Sequence, residues 1–318
     1  MKFVIAATIA ALASATPMGE HDIDFIRFVS EYGKSYGTQE EFAFRMATFG
    51  ENMLKIKSIK SETSTHGVNK FTDRTPAEMK KLLGYRAQDK PAFRNVTDFP
   101  AANTDTVNWV TAGATTPVKD QGACGSCWSF STTGALEGSH FIATGQLVSL
   151  SEQQLMDCSW KFGNLSCGGG LMDSAFKYAQ QTPLTTEANY PYTAQYHTSC
   201  SYAGNGIVSV LSYADVAVNS AAALKNALAT GPVSVAIEAD TAVFQSYTGG
   251  ILTSTACGTT LDHGVLAVGF GVEAGVEYII VKNSWGASWG ENGFIRLGVA
   301  DGAGICGINQ SASIPKTN

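Results

Sequence analysis

Seven cysteines, at positions 124, 127, 158, 167, 200, 257 and 306, all fall in the last two thirds of this 318-residue chain. Seven is odd, so at least one thiol remains unpaired whatever crosslinks form. The stretch QGACGSCWSF, residues 121–130, sets Cys124 and Cys127 three apart with Trp128 directly after. A zinc clip would need a second ligand pair, and the chain offers no other C-x-x-C and no spaced histidine pair. A thioredoxin-like redox pair places tryptophan before the first cysteine and follows a strand in a small αβ unit; neither feature is present. The third reading is a crosslinked cysteine beside a reactive one. Cys127 stands where a helix should begin, since residues 128–145 carry no proline and Ser126 is a plausible cap. A helix N-terminus favours a thiolate.

A reactive thiol needs a base, and the chain has five histidines. His21 and His66 lie before a linker, and His140 is thirteen residues down the same helix as Cys127, roughly 20 Å away at about 1.5 Å per residue. His197 sits in a Tyr- and Ser-rich loop beside Cys200 and reads as a surface residue. His263, in LDHGVLAVGFG, opens an apolar strand from which an imidazole can project into a cleft. Asn283, in VKNSWGASWG just past the strand EYIIVK, can accept the second imidazole N–H, with Trp285 as an apolar cover.

The chain divides into segments of different character. MKFVIAATIAALASA has the charged, apolar, small-residue order of a secretory signal, with cleavage expected after Ala15. No later stretch is apolar enough to span a bilayer, so no membrane span is expected and the product matures in an oxidising compartment. Apolar residues step by three and four from Asp22 to Tyr36 and again from Phe42 to Ile56, predicting two amphipathic helices with Glu41 and Arg45 one turn apart. Periodicity is lost after about Asp89 in an exposed, cleavable linker with a glycosylation sequon at Asn95; further sequons lie at Asn164 and Asn309. Beyond it, a helical half (WSFSTTGALEGSHFIATG, MDSAFKYAQQ) precedes a strand half (VSVAIEA, GVLAVGFG, EYIIVK, GFIRLG), which predicts an α+β protein of two lobes with a ligand cleft between them. Residues 16–102 hold 13 basic and 12 acidic side chains, and residues 103–318 hold 7 and 15. A body at −8 lacks the electrostatic footprint for nucleic acid.

PVKDQGACGSCWSF, LDHGVLAVGFG and VKNSWGASWG resemble, in order and spacing, the three active-site blocks of the papain and cathepsin L family of cysteine proteases. The resemblance covers nearly the whole chain after the signal. It implies a two-lobed papain-like fold, residues 16–102 as inhibitory prosegment and linker, and residues 103–318 as catalytic domain. It implies Cys127 as nucleophile, His263 as base and then acid, Asn283 as orienter, and Gln121 as oxyanion donor with the Cys127 backbone N–H. It also implies the pairs Cys124–Cys167, Cys158–Cys200 and Cys257–Cys306, leaving Cys127 free. Glu41, Arg45, Phe49, Asn52 and Ile56 resemble the prosegment's helix motif, with Lys60 where asparagine is usual, and GVNKFTD, 67–73, resembles its second motif.

By the same resemblance Leu171, Met172, Ala236, Leu261, Gly264 and Ser311 line the main pocket, which should take a bulky apolar side chain two residues before the scissile bond. Gly169 and Gly170 would offer backbone to substrate, and Gly168 stands where asparagine is usual, a change expected to loosen that wall. No long insertion follows Cys158 or Cys167, which favours an endopeptidase. No cofactor or metal is implied. The partners implied are protein and peptide substrates and the chain's own prosegment, in a monomer of the secretory pathway bound for a lysosome, a vacuole or the exterior. Asp73, closing GVNKFTD, is expected to hold the blocked form while ionised, so that processing quickens as pH falls from 7 towards 4. Two rivals are an inactive papain-like binding or storage protein and a redox protein; the set Gln121, Cys127, His263 and Asn283 argues against the first.

Overall fold

A computed structural model describes residues 21–90 and 95–318; the signal-like residues 1–15 lie outside the described residues. The N-terminal layer begins with α1 (Asp22–Glu31) and α2 (Gln39–Ser58), which bury Phe25, Phe28 and Phe49 against one another. The first helix ends short of the predicted Tyr36 because Gly33 turns the chain at φ +59°, yet Tyr32 and Tyr36 still pack on the seam. Thr38 caps α2 by accepting the Glu41 N–H.

Arg45 turns from Glu41, at 3.8 Å, to a two-pronged pair with Glu78 at 2.7 Å. Arg45 and Asn52 also donate to the carbonyls of Asp73, Thr72 and Arg74, so α2 grips the loop that carries the second motif. Asp73 is buried and accepts from Lys34 Nζ at 2.9 Å and Tyr36 OH at 2.8 Å. The short helix α3 (Pro76–Lys80) follows, with a reciprocal capping box between Thr75 and Glu78. Hydrogen bonds from Arg45 hold the Glu78 carboxyl at about 2. This is a depressed pKa, so its stabilisation of the layer is present above the ordinary carboxylate value and is lost as pH falls towards 2.

Asp73→Asn removes the carboxylate that Lys34 and Tyr36 embrace. The variant zymogen should convert to the mature band faster than the parent at pH 7. Gel densitometry of both proteins at that pH checks this, and an equal rate would remove Asp73 as a contact that holds the blocked form.

The body joins a helical part to a sheet. Helices α4 (Cys127–Thr144), α5 (Glu152–Cys158) and α6 (Met172–Gln181) pack Trp128, Leu136, Leu155 and Phe176 into one core. That core also takes Ala236, Leu266 and Val268 from the sheet. Of the nine strands in the described residues, β1 (Ser64–His66) comes from the N-terminal layer, β2 (Val107–Asn108) is two residues long, and β3 (Val210–Asp215) pairs with the last strand at the edge of the sheet.

The others are β4 (Val233–Ile237), β5 (Tyr247–Leu252), β6 (His263–Glu273), β7 (Val276–Lys282), β8 (Phe294–Gly298) and β9 (Ala312–Thr317). They run β1-β5-β8-β7-β6-β4-β9-β3, with β2 on β6, around a second core holding Phe244, Trp285 and Trp289. Two short helices, α7 (Ala221–Leu228) and α8 (Ala242–Gln245), lie within this strand half. The α+β architecture in two parts is thus present.

Disulfides join Cys124 to Cys167, Cys158 to Cys200 and Cys257 to Cys306, and Cys127 is free. The sequons differ in access. Asn95 is exposed, whereas Asn164 is fully buried with its amide spent on Ser159 Oγ and the Leu171 N–H, and Asn309 is buried beneath the carbonyls of Ala300 and Gly302. A glycan fits only the first of the three.

The N-terminal layer docks on the sheet side. Strand β1 adds to β5 in antiparallel register, Ser64 opposite Gly250, where the positive φ of +82° lets that glycine pass under Thr63. Phe71 sets its ring edge-on to Trp285 at 5.3 Å. Asn69 and Lys70 bond to the Gln245 carbonyl and to Asp120.

Candidate active site

Cys127 is the first residue of α4 and is wholly buried. Ser126 occupies the cap position, but its hydroxyl goes to Tyr192 OH at 2.6 Å and caps nothing. The Cys127 sulfur accepts two backbone N–H groups, from Gly264 and from Gly84 of the N-terminal segment, each at 3.3 Å. Gly264 follows His263, which opens β6 and faces inward as its position predicts.

His263 Nε2 meets Asn283 Oδ1 at 2.8 Å. Among the described residues its Nδ1 has no hydrogen-bond partner. The Trp285 ring lies 4.9 Å from the imidazole and, with Phe244, seals the bond to Asn283 from water. Asn283 Oδ1 also accepts the Ser284 N–H, which fixes the amide with its oxygen towards the ring.

Gln121 is fully buried, and Ser284 Oγ donates to its Oε1 at 2.7 Å. This leaves Nε2 as the donor face, which reaches the carbonyls of Leu82 and Cys124, both at 2.8 Å. Burial pushes the Cys127 thiol up to about 11 and the His263 imidazole down to about 4. In this covered state burial disfavours the charged form of both groups.

The cover is residues 82–86. Gly84 accepts the Gly170 N–H at 2.8 Å, Arg86 donates to the Gly170 carbonyl at 3.2 Å, and Tyr85 donates to the Asp262 carbonyl at 2.9 Å. Tyr85 enters the apolar cluster that includes Leu171, Met172, Ala236 and Leu261, and its hydroxyl reaches Ser311 Oγ at 2.7 Å. Gly264 belongs to the same wall, since a Cβ there would press on the Met172 sulfur at 3.2 Å.

Gly169 and Gly170 both lie against the segment: a Cβ on Gly169 would come within 2.7 Å of the Gly84 carbonyl. The residues singled out for the site thus lie along one continuous surface beneath and beside this segment. Gly168 is exposed, and a Cβ there would meet Leu165 at 3.4 Å.

His197 is more engaged than a loop histidine should be, its Nδ1 lying 2.9 Å from buried Asp157. Ser284, Gly84 and Tyr85 were not legible as site residues, because each acts through a contact with a distant segment. Among the described residues no cluster of three or more metal-ligating side chains occurs, and no helix is long and apolar enough to cross a membrane.

A thiol at a helix start, an imidazole on the facing strand and an amide holding that ring together define a protease of the cysteine type. The profile of the Papain family cysteine protease matches residues 103–316, and that of the Cathepsin propeptide inhibitor domain (I29) matches residues 25–79. The chain therefore belongs to the papain family, as a cysteine protease carrying an inhibitory propeptide domain.

It is 42% identical over 301 residues to the senescence-specific cysteine protease SAG39 of Oryza sativa subsp. japonica, covering 91% of this chain and 88% of that one. It is 40% identical over 319 residues to digestive cysteine proteinase 3 of Homarus americanus, covering 96% of each. Among solved structures, digestive procathepsin L 3 of the Tenebrio molitor larval midgut superposes with a TM-score of 0.83 at 35% identity, over 94% of this chain and all of that one.

Proposed function

We propose that the chain is a secretory-pathway zymogen whose matured body, from about residue 103, cleaves peptide bonds internally through Cys127, His263, Asn283 and Gln121. With Nε2–H given to Asn283, the imidazole has Nδ1 left to exchange a proton with the thiol. The thiolate attacks the substrate carbonyl carbon, and the electron pair that moves to oxygen is met by Gln121 Nε2–H and the Cys127 backbone N–H. His263 then passes its proton to the departing amine as the C–N bond breaks, leaving a thioester. A water that gives its proton to His263 attacks the thioester, and the thiolate leaves. Losing one oxyanion donor of this kind costs about 3 to 4 kcal/mol in other proteases.

The observation that carries this reading is the position of residues 82–86 on Gln121, the Cys127 sulfur and the pocket at once. The Leu82 carbonyl takes the Gln121 donor, the Gly84 N–H takes the sulfur and Tyr85 takes the pocket. A substrate residue filling that pocket would precede its scissile carbonyl, whereas Tyr85 follows Leu82. The segment therefore runs opposite to a substrate and presents no bond in register for attack, which accounts for self-inhibition. Three disulfides suit a secreted, lysosomal or vacuolar protease, and one copy of the chain holds every proposed site residue.

The pocket favours bulky apolar side chains two residues before the cut, because its walls are Leu171, Met172, Ala236 and Leu261. Each buried methylene there is worth about 0.8 kcal/mol. Acid-matured protein should cleave fluorogenic peptides with Leu or Phe at that position faster than those with Arg, measured as kcat/KM. A library that ranks Arg first would overturn the pocket assignment.

A further inference from the structure

Five residues after Tyr85, Lys90 is nearly buried, with its side chain 9% exposed. Its ammonium donates to Ser311 Oγ at 2.8 Å, the same hydroxyl that Tyr85 OH touches from the pocket side. It lies 3.2 Å from Asp173 and 3.3 Å from Asp215, themselves 11% and 5% exposed. Asp173 is in the first turn of α6, beside the pocket residue Met172. Asp215 ends β3, paired with Ser313 of β9, two residues beyond Ser311. Two carboxylates from different elements therefore converge one hydroxyl beyond the point reached by Tyr85. Among the described residues Lys90 is the only cation paired with either.

The prosegment supplies both partners of Asp215, the Lys90 ammonium and the Asn95 N–H at 3.0 Å on its other oxygen. Both lie before residue 103 and leave with the prosegment on the domain division proposed above. The body keeps Asp173, Asp215 and Ser311 and loses the charge that balanced them. Carboxylates held in a partly covered site without a cation are unfavourable, and an incoming cation relieves this. An extended arginine is at least as long as a tyrosine, and its planar fork can bond two carboxylates and a hydroxyl.

We propose that Asp173 and Asp215 form an acidic second tier of the pocket, so that the mature protease also accepts arginine or lysine two residues before the scissile bond. In the zymogen Lys90 occupies that tier from the outer side while Tyr85 fills the apolar tier. This rests on the endopeptidase reading above and adds a second substrate class to it. Leucine and phenylalanine remain the better residues because four apolar walls act on them, whereas the cation gains only at the far end.

The test uses full-length protein matured in acid and titrated for active sites, with four peptides alike except for Leu, Phe, Arg or citrulline at that position. Citrulline has the shape of arginine without its charge. The expected kcat/KM for Arg exceeds that for citrulline at least fivefold, and Asp173→Asn combined with Asp215→Asn brings the two within twofold. An Arg-to-citrulline ratio near one in the parent protein overturns the acidic tier and needs no variant to fold. A ratio that persists in the double variant overturns it too. Cleavage of none of the four would instead overturn the endopeptidase reading, and this inference with it.

Discussion

Purified Cys127→Ala protein is expected to keep its fold and its three disulfides and to hydrolyse no peptide measurably, a loss of at least about four orders of magnitude in kcat/KM. Cys127 is the one free thiol among the described residues, and the Gly264 N–H on its sulfur fixes it beside His263. The six other cysteines are paired elsewhere, so the substitution cannot be rescued by a neighbouring thiol. Folding should survive because the change removes one sulfur and leaves the helix start with a good helix former. Asn283→Ala should retain weaker, measurable activity, since Asn283 holds the ring and does not react. Circular dichroism, thiol counting and peptide hydrolysis on the same preparations check these outcomes. Full activity in Cys127→Ala would end the mechanism.

Gly84→Val should produce a zymogen that no longer shields its own site. A Cβ on Gly84 would stand 1.8 Å from the Gly125 carbonyl oxygen and 2.5 Å from its carbon, and backbone in the loop that leads into α4 cannot yield cheaply. The 82–86 segment must lift instead, releasing the Gly84 N–H from the sulfur and the Gly84 carbonyl from Gly170. Water then returns to the site, which lowers the Cys127 thiol from about 11 and raises the His263 imidazole from about 4. The thiolate–imidazolium pair becomes accessible at neutral pH. Alkylation of the uncleaved zymogen by iodoacetamide at pH 7 should accelerate at least tenfold over the parent. A rate equal to the parent's would mean that residues 82–86 do not control the site.

Much of the site was legible because its chemistry is carried by short local blocks. The odd cysteine count left one thiol, and the place of His263 at the head of an apolar strand and of Asn283 just past another put the three on facing elements. The strands with alternating β-branched residues, β4, β6, β7 and β8, were visible for the same reason. Strands β3, β5 and β9 were not singled out: Ser, Gly and Pro interrupt their apolar pattern, and partners distant in the chain form them. Arg45 was assigned to Glu41 because helix spacing suggests it, but Glu78 sits closer and makes two bonds. Asp173, Asp215 and Lys90 carry no sequence signal, since their meeting depends on how α6, β3 and the prosegment pack.

The most direct measurement is covalent labelling of acid-matured wild-type protein with an active-site-directed epoxide, followed by peptide mapping and assay of the same sample. The account predicts one label per molecule, on Cys127, with activity falling in proportion to labelling. A label on another residue, or full labelling of Cys127 with activity retained, would contradict it.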